Sequence, residues 1–203
     1  PPGQRLADLV GVRSPGEVAE GMARVFISDR RADGQYAVGW IEERLRLLVE
    51  TTAVQCAGFS IMDNHLHVLL RLDSGRADGW TGEDVARRWA RLFPPKEDKG
   101  QGEQCLEVWI AAKAADGEWV VRARQRLASL SWFMKCLKEP IARQANREDG
   151  CTGAFWEGRF RSVAILDEES LLATCAYIDL NPVAAGIAPT PEQSPHTSIR
   201  ARV

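Results

Sequence analysis

The stretch Ile61-Met-Asp-Asn-His65-Leu-His67-Val-Leu-Leu-Arg71 permits few folds. In a strand, successive side chains point to opposite faces, so His65 and His67 project together while Leu66 and Val68 enter the other layer. An apolar run over 54–61 precedes this segment, and Asp63-Asn64 supplies turn chemistry between the two. The spacing therefore predicts a hairpin of strands over 54–61 and 65–72, with one face packed and two imidazoles on the other.

The remaining pattern surrounds this hairpin with helices. Ala23 to Ser28 reads as a short strand. Ile41, Leu45, Leu48 and Val49 form one apolar stripe and predict a helix over 39–50. A helix over 83–93 has Thr81 near its N-cap and stops at Pro94-Pro95. Residues 96–104 read as an exposed loop, and 108–121 fits helix or strand. Leu127, Leu130, Met134, Leu137 and Ile141 make a core-facing seam in a helix over 122–146, which Pro140 is expected to kink or split. Residues 162–166 read as a strand. A last helix over 168–180 has Asp167 as N-cap, with Pro182 and Gly186 ending it. The order strand, helix, strand, strand, helix predicts an α+β fold with an antiparallel sheet and helices on one face. Residues 1–18 read as a flexible arm, 19–188 as one domain with an insertion at 79–121, and 189–203 as an irregular tail.

Composition narrows the function classes. The 203 residues are 45% hydrophobic, enough for a buried core, with no apolar run of transmembrane length. No signal-peptide pattern opens the chain, and its start at Pro1-Pro2 is expected of a fragment or a trimmed chain. Five cysteines, an odd number without a CxxC spacing, speak against a disulfide framework or a zinc ribbon and for reduced thiols in a cytoplasm. The net charge of -2 is not that of a uniformly basic nucleic-acid binder. Its distribution is uneven, however. Arg122, Arg124, Arg126, Lys135, Lys138, Arg143 and Arg147 face a single acid, Glu139, within 122–147. Such a stretch reads either as a phosphate-binding face or as a solvated helix surface.

Two sets of residues carry chemistry. Paired imidazoles on one strand face can share a metal ion and leave positions open for water, a carboxamide and a phosphate oxygen; they can equally be hydrogen-bonded strand histidines. The chain has two tyrosines, and Tyr177 lies four residues before Asn181, on the same face of the last helix. A phenol can attack phosphorus and store the bond energy as a phosphotyrosine. Left unassisted it keeps its proton at neutral pH. The other reading of Tyr177 is an amphipathic residue at a helix edge, and of Asn181 a helix C-cap. Trp156, Arg159, Phe160 and Arg161 read as base-stacking and phosphate-holding residues, or as a Trp-Phe core anchor with solvated arginines. Lys135, Lys138 and Arg143 are candidate DNA contacts on their helix, where Ser131 to Met134 reads as helix core. Arg87, Arg88 and Arg91 read as solvated. His196, in a polar tail, reads as a non-ligand. Asp63 reads as a turn residue.

Taken together these segments resemble a known family. Met62-Asp-Asn64-His65-Leu-His67-Val-Leu-Leu resembles the M-x-N-H-hydrophobic-H-hydrophobic-L signature of the HUH single-strand transposases. Tyr177-Ile-Asp-Leu-Asn181-Pro-Val-Ala-Ala-Gly186 resembles the Y-x-x-x-N-P-V-x-A-G element of one branch, the REP-associated tyrosine transposases. Phe155-Trp156-Glu157-Gly158-Arg159-Phe160 resembles the W-x-x-R-F block that precedes it. The resemblance covers 54–188. It implies a ferredoxin-like core, with the histidines on a central strand and the tyrosine on a late helix. It implies Mg²⁺ or Mn²⁺, with His65 and His67 as ligands and Asn181 as the third. It implies that Tyr177 attacks a phosphate of single-stranded DNA near a hairpin, giving a 5′-phosphotyrosine and a free 3′-hydroxyl without ATP. The family leaves both a monomer and a homodimer open.

Two other functions fit the same residues. A decayed or domesticated relative would bind hairpin DNA without cutting it. A metal-dependent phosphoesterase would use bound water and do without Tyr177, but few acids lie near the HxH segment to support it.

Overall fold

The computed structural model describes residues 23–30, 38–62, 65–95 and 102–202. The expected flexible arm, Asp63-Asn64 and most of the predicted 96–104 loop lie outside them.

Four strands form one antiparallel sheet: β1 (Ala23–Arg30), β2 (Val54–Ile61), β3 (His65–Leu72) and β4 (Arg161–Ile165), in the order β2-β3-β1-β4. Both strands of the predicted hairpin appear with the expected bounds. Between β1 and β2 runs α1 (Val38–Thr51), so the chain has the strand-helix-strand-strand order of a ferredoxin-like core. The short strand at the start of the core lies inside the sheet, paired to β3 along one side and to β4 along the other.

One face of the sheet is sealed by helices. Leu66, Val68 and Leu70 of β3 share a buried cluster with Ile41, Leu45 and Leu48 of α1 and with Phe133, Met134, Leu137 and Ile141 of α6 (Leu130–Glu148). Around this layer stand α2 (Ser74–Asp78), α3 (Gly82–Leu92), α4 (Gly102–Ala115) and α5 (Gly117–Leu127). In the predicted 79–121 insertion, the described residues are mostly helical, and the ambiguous 108–121 falls in α4 and α5 on either side of Asp116. Tryptophans join the insertion to the core: Trp89 of α3 stacks on Trp132 of α6 at 5.8 Å and meets Trp119 of α5 edge-on at 5.7 Å. Of the arginines of α3, expected to be solvated, Arg87 and Arg91 are exposed and also paired, while Arg88 is half-buried. Arg87 grips Glu107 of α4 through two hydrogen bonds of 2.8 and 2.7 Å, Arg88 lies over Trp80 and donates to the Glu50 carbonyl, and Arg91 pairs with Glu50.

Two helix boundaries differ from expectation. The seam from Leu127 to Ile141 belongs to two helices, not one. The break falls at Ala128-Ser129, where the Ser129 hydroxyl accepts the Trp132 N–H at 3.4 Å and caps α6. Pro140 stays inside α6. Its missing N–H leaves the Cys136 carbonyl without an intrahelical donor, and Arg44 Nε supplies one at 2.8 Å.

The expected gathering of helices on one face holds for α1 and α6. The other face receives α7 (Glu168–Ala184), whose Ile178 Cδ1 lies beside Gly58 together with Leu69 Cβ and Ser198 Oγ. The 189–203 tail is not irregular. A 3₁₀ turn over Pro191–Gln193 and a short α8 (Ser198–Arg202) bring it along the free edge of β2. Ile61 N–H donates to the His196 carbonyl at 3.1 Å, Phe59 N–H to Ser198 Oγ at 3.1 Å, and Thr197 bridges Ser60. An open edge would offer unpaired backbone groups; here the tail takes them up.

Candidate active site

β3 runs between β2 and β1, so its side chains occupy the middle of the sheet. Across it, Ser60 of β2 stands opposite His67, His67 opposite position 28 of β1, and position 28 opposite Arg161 of β4. Directly opposed residues share a face. The register thus draws Ser60, His67 and Arg161 into one transverse row on the face away from α6. Ser60 and His67 are buried; Arg161 is exposed on an edge strand. The Ser60 hydroxyl has no hydrogen-bond partner among the described residues. His65 opens the same strand, two positions before His67, and its backbone pairs in register with Arg30.

The sequence builds α7 to lie over this row. Asp167 caps it, accepting the Ser170 N–H at 2.7 Å and the Ser170 hydroxyl at 2.9 Å. Those bonds hold the Asp167 carboxyl below the usual range, the backbone N–H contributing most. Ile178, 1% exposed, fills the space left by Gly58. Asp179 accepts from Ser198 Oγ at 3.4 Å, which ties the helix to β2 through the tail. Pro182 does not end the helix, which runs two residues further to Ala184. The end is a Schellman closure at Gly186, with φ +71: Gly186 N–H donates to Val183 O at 3.0 Å and Ile187 N–H to Pro182 O at 2.9 Å. Asn181 is therefore not the C-cap. It sits a full turn inside, half-buried, one turn beyond Tyr177.

This seating brings together the residues that the sequence kept far apart. The Tyr177 ring meets the His67 ring edge-on, with centroids 5.3 Å apart and planes at 73°. His67 is 3% exposed and Tyr177 52% exposed. One side of the phenol thus touches the buried imidazole while the rest faces solvent.

The other predicted residues divide. Trp156 is not a stacking platform. It is buried in the core cluster, its indole N–H donates to the Lys138 carbonyl at 3.1 Å, and the Lys138 ammonium lies over its ring at 4.9 Å. A buried indole satisfied in this way anchors the loop and has no free face for a base. Lys138 also donates to the Gly158 carbonyl at 2.9 Å, so it braces the segment that presents Arg159 and Arg161, both exposed, toward β4. Lys135 and Arg143 lie elsewhere, on the helical layer, where Lys135 covers Trp132 at 5.1 Å and Arg143 pairs with Glu139. His196 pairs with Glu42 at 2.8 Å, in keeping with a non-ligand role. Burial pushes the Cys56 thiol up to about 12, which makes it an inert core residue. Sequence reasoning passed over Ser60. The only available signal was its place in the hairpin register, and a bulge between Cys56 and Gly58 shifts that register by one residue.

Among the described residues, no three His, Cys, Asp or Glu side chains gather as a metal cluster.

Fold and site define a class: a ferredoxin-like sheet whose central strand carries an HxH pair, faced by a tyrosine on a late helix. Comparison with known proteins bears on the fold. No family model and no curated protein matches the chain. Among solved structures, a REP-associated tyrosine transposase bound to a REP hairpin shares the fold, with TM-score 0.51 and 12% identity over 93% of this chain and 82% of that one.

Proposed function

We propose that the chain is a tyrosine transposase of the HUH type, which cleaves and rejoins single-stranded DNA beside a hairpin. The observation that carries this reading is the contact of Tyr177 with His67, 5.3 Å between ring centroids on the open face of the sheet. The shared fold with a transposase bound to a REP hairpin supports hairpin DNA as the partner.

In this reading the Tyr177 hydroxyl oxygen attacks a backbone phosphorus. The bond from phosphorus to the 3′-oxygen breaks, the phenol proton ends on that oxygen, and the strand's 5′ end stays on the protein as a phosphotyrosine. Attack by the freed 3′-hydroxyl reverses the step and rejoins DNA. His65 and His67 would hold a divalent cation, Mn²⁺ or Mg²⁺, with the Asn181 carboxamide. When bound, the ion offsets charge developing on the phosphate. Arg161, in register with His67, and Arg159 would hold phosphates of the incoming strand. No helix among the described residues is long and apolar enough to cross a membrane.

Incubation with Mn²⁺ and hairpin oligonucleotides bearing an unpaired flank should yield a covalent protein–DNA adduct that survives denaturing electrophoresis. Tyr177→Phe should abolish the adduct and leave noncovalent binding in place. An adduct formed by the Phe variant would assign the chemistry to another residue. Tight hairpin binding by the wild-type chain with no adduct across a panel of such DNAs would leave a hairpin-binding protein without cleavage activity.

A further inference from the structure

A cleft of about 480 Å³ opens on the helical layer, away from Tyr177, lined by Arg44 of α1, Phe93 at the end of α3, and Trp132, Lys135, Arg143 and Arg147 of α6. Its one acidic lining residue, Glu139, is taken by Arg143. Arg44 is the unusual member. Its Nε bond to the Cys136 carbonyl, the group that Pro140 leaves without a donor, holds the guanidinium half-buried at the cleft wall. Burial lowers its pKa, and no carboxylate among the described residues pairs with it. A cation withdrawn from water without a counter-charge is unfavourable unless an anion arrives. Guanidinium groups favour phosphate through paired N–H donors.

The walls indicate what else comes with the phosphate. Trp132 and Phe93 are 6.1 Å apart, and Lys135 and Arg126 lie over the Trp132 ring at 5.1 and 4.7 Å. Aromatic rings interleaved with cations are how proteins hold unpaired strands, with bases on the rings and phosphates on the charges. We propose that this cleft is a second DNA-contact site, which takes a backbone phosphate of an unpaired strand on Arg44, Lys135 and Arg147 with a base against the exposed ring of Phe93, Trp132 being already covered by Trp89 and the two cations. The choice of DNA as ligand rests on the proposed function; the unpaired cation and the aromatic walls do not.

The test uses the full chain in a Tyr177→Phe background, so that no adduct forms. Binding is measured by fluorescence anisotropy, over a range of salt, for a labelled hairpin with an unpaired extension and for the same hairpin without it. Lys135→Gln with Arg147→Gln, both at exposed positions, should weaken the extended hairpin about tenfold and lower its salt slope by about 0.7 per lost contact. The blunt hairpin should bind as before. Arg44→Gln should act in the same direction, with Arg44→Lys restoring part of the loss. Equal affinity and slope with and without the substitutions would overturn the proposal. So would equal weakening of both DNAs, or displacement of the strand by millimolar inorganic phosphate at constant ionic strength, which would mark a free-phosphate site. Adduct formation by the wild-type chain alongside unaffected cleft variants would sink this inference alone; extension-dependent binding without any adduct would sink the catalytic reading alone.

Discussion

The two faces of the sheet carry helices of opposite character. On one, α6 buries Phe133, Met134, Cys136, Leu137, Ile141 and Ala145. On the other, α7 buries Ile178 and Pro182 and leaves Leu172, Tyr177 and Leu180 exposed. Each helix contains a proline. In α6 the carbonyl left without a partner is taken by Arg44, whereas in α7 the proline falls two residues before the end, where the helix is about to close. The packed face is a scaffold. The lightly packed face holds the phenol by a few points: Ile178, the Asp179 link to Ser198, and two capped ends. Elements with few buried apolar contacts open at lower free energy than the core does, so α7 is the element expected to open first.

Truncation of one anchor on each face gives the largest effects. Phe133→Ala should destabilise the chain by about 3–5 kcal/mol in urea unfolding, and Ile178→Ala by about 2 kcal/mol. Hydrogen exchange should accelerate across α7 in the Ile178 variant before the sheet is affected. Equal losses, with α7 exchanging only through global unfolding, would show that the two faces are held alike.

Next in size is the proline compensation. Arg44→Met should cost about 1–3 kcal/mol by leaving the Cys136 carbonyl unsatisfied. In a Pro140→Ala background, where residue 140 regains its N–H, the same substitution should cost measurably less. Identical costs in the two backgrounds would remove Arg44 as the reason α6 tolerates its proline.

The smallest effects are at the caps, one on each side of the sheet. Thr81→Ala should cost about 1 kcal/mol, because Thr81 and Asp84 form a reciprocal capping box at the start of α3. The Thr81 hydroxyl, and then its N–H, hold the Asp84 carboxyl below the usual range. Its contribution is therefore complete above the ordinary aspartate pKa and is lost as the pH falls through the lowered folded value. Asp167 of α7 behaves with the same sign. Chemical denaturation between about pH 5 and pH 2 should show a shallower acid loss in the Thr81 variant. An unchanged slope would mean that the cap carries no pH-linked stability.

Much of this was legible locally. The hairpin bounds, the stripe of α1 and the caps at Thr81 and Asp167 follow from patterns confined to a few residues. The seam from Leu127 to Ile141 misled because its spacing is the same for one helix as for two in succession; Ser129 was the available cue. Trp156 misled because its motif is the same whether the indole faces DNA or fills a core. The tail misled because a polar segment without periodicity gains its order only from the strand edge it covers.

Sequence alone established which residues could do chemistry and which strand presents the histidines, because alternation along a strand depends on the backbone and on nothing distant. It also placed Tyr177 and Asn181 on one side of a helix. That the phenol reaches His67, that Arg161 shares its row, and that Arg44 is stranded in a cleft with other cations were decided by tertiary structure. Each depends on strand register or on the seating of a helix, and those are set by the packing of side chains distant in the chain.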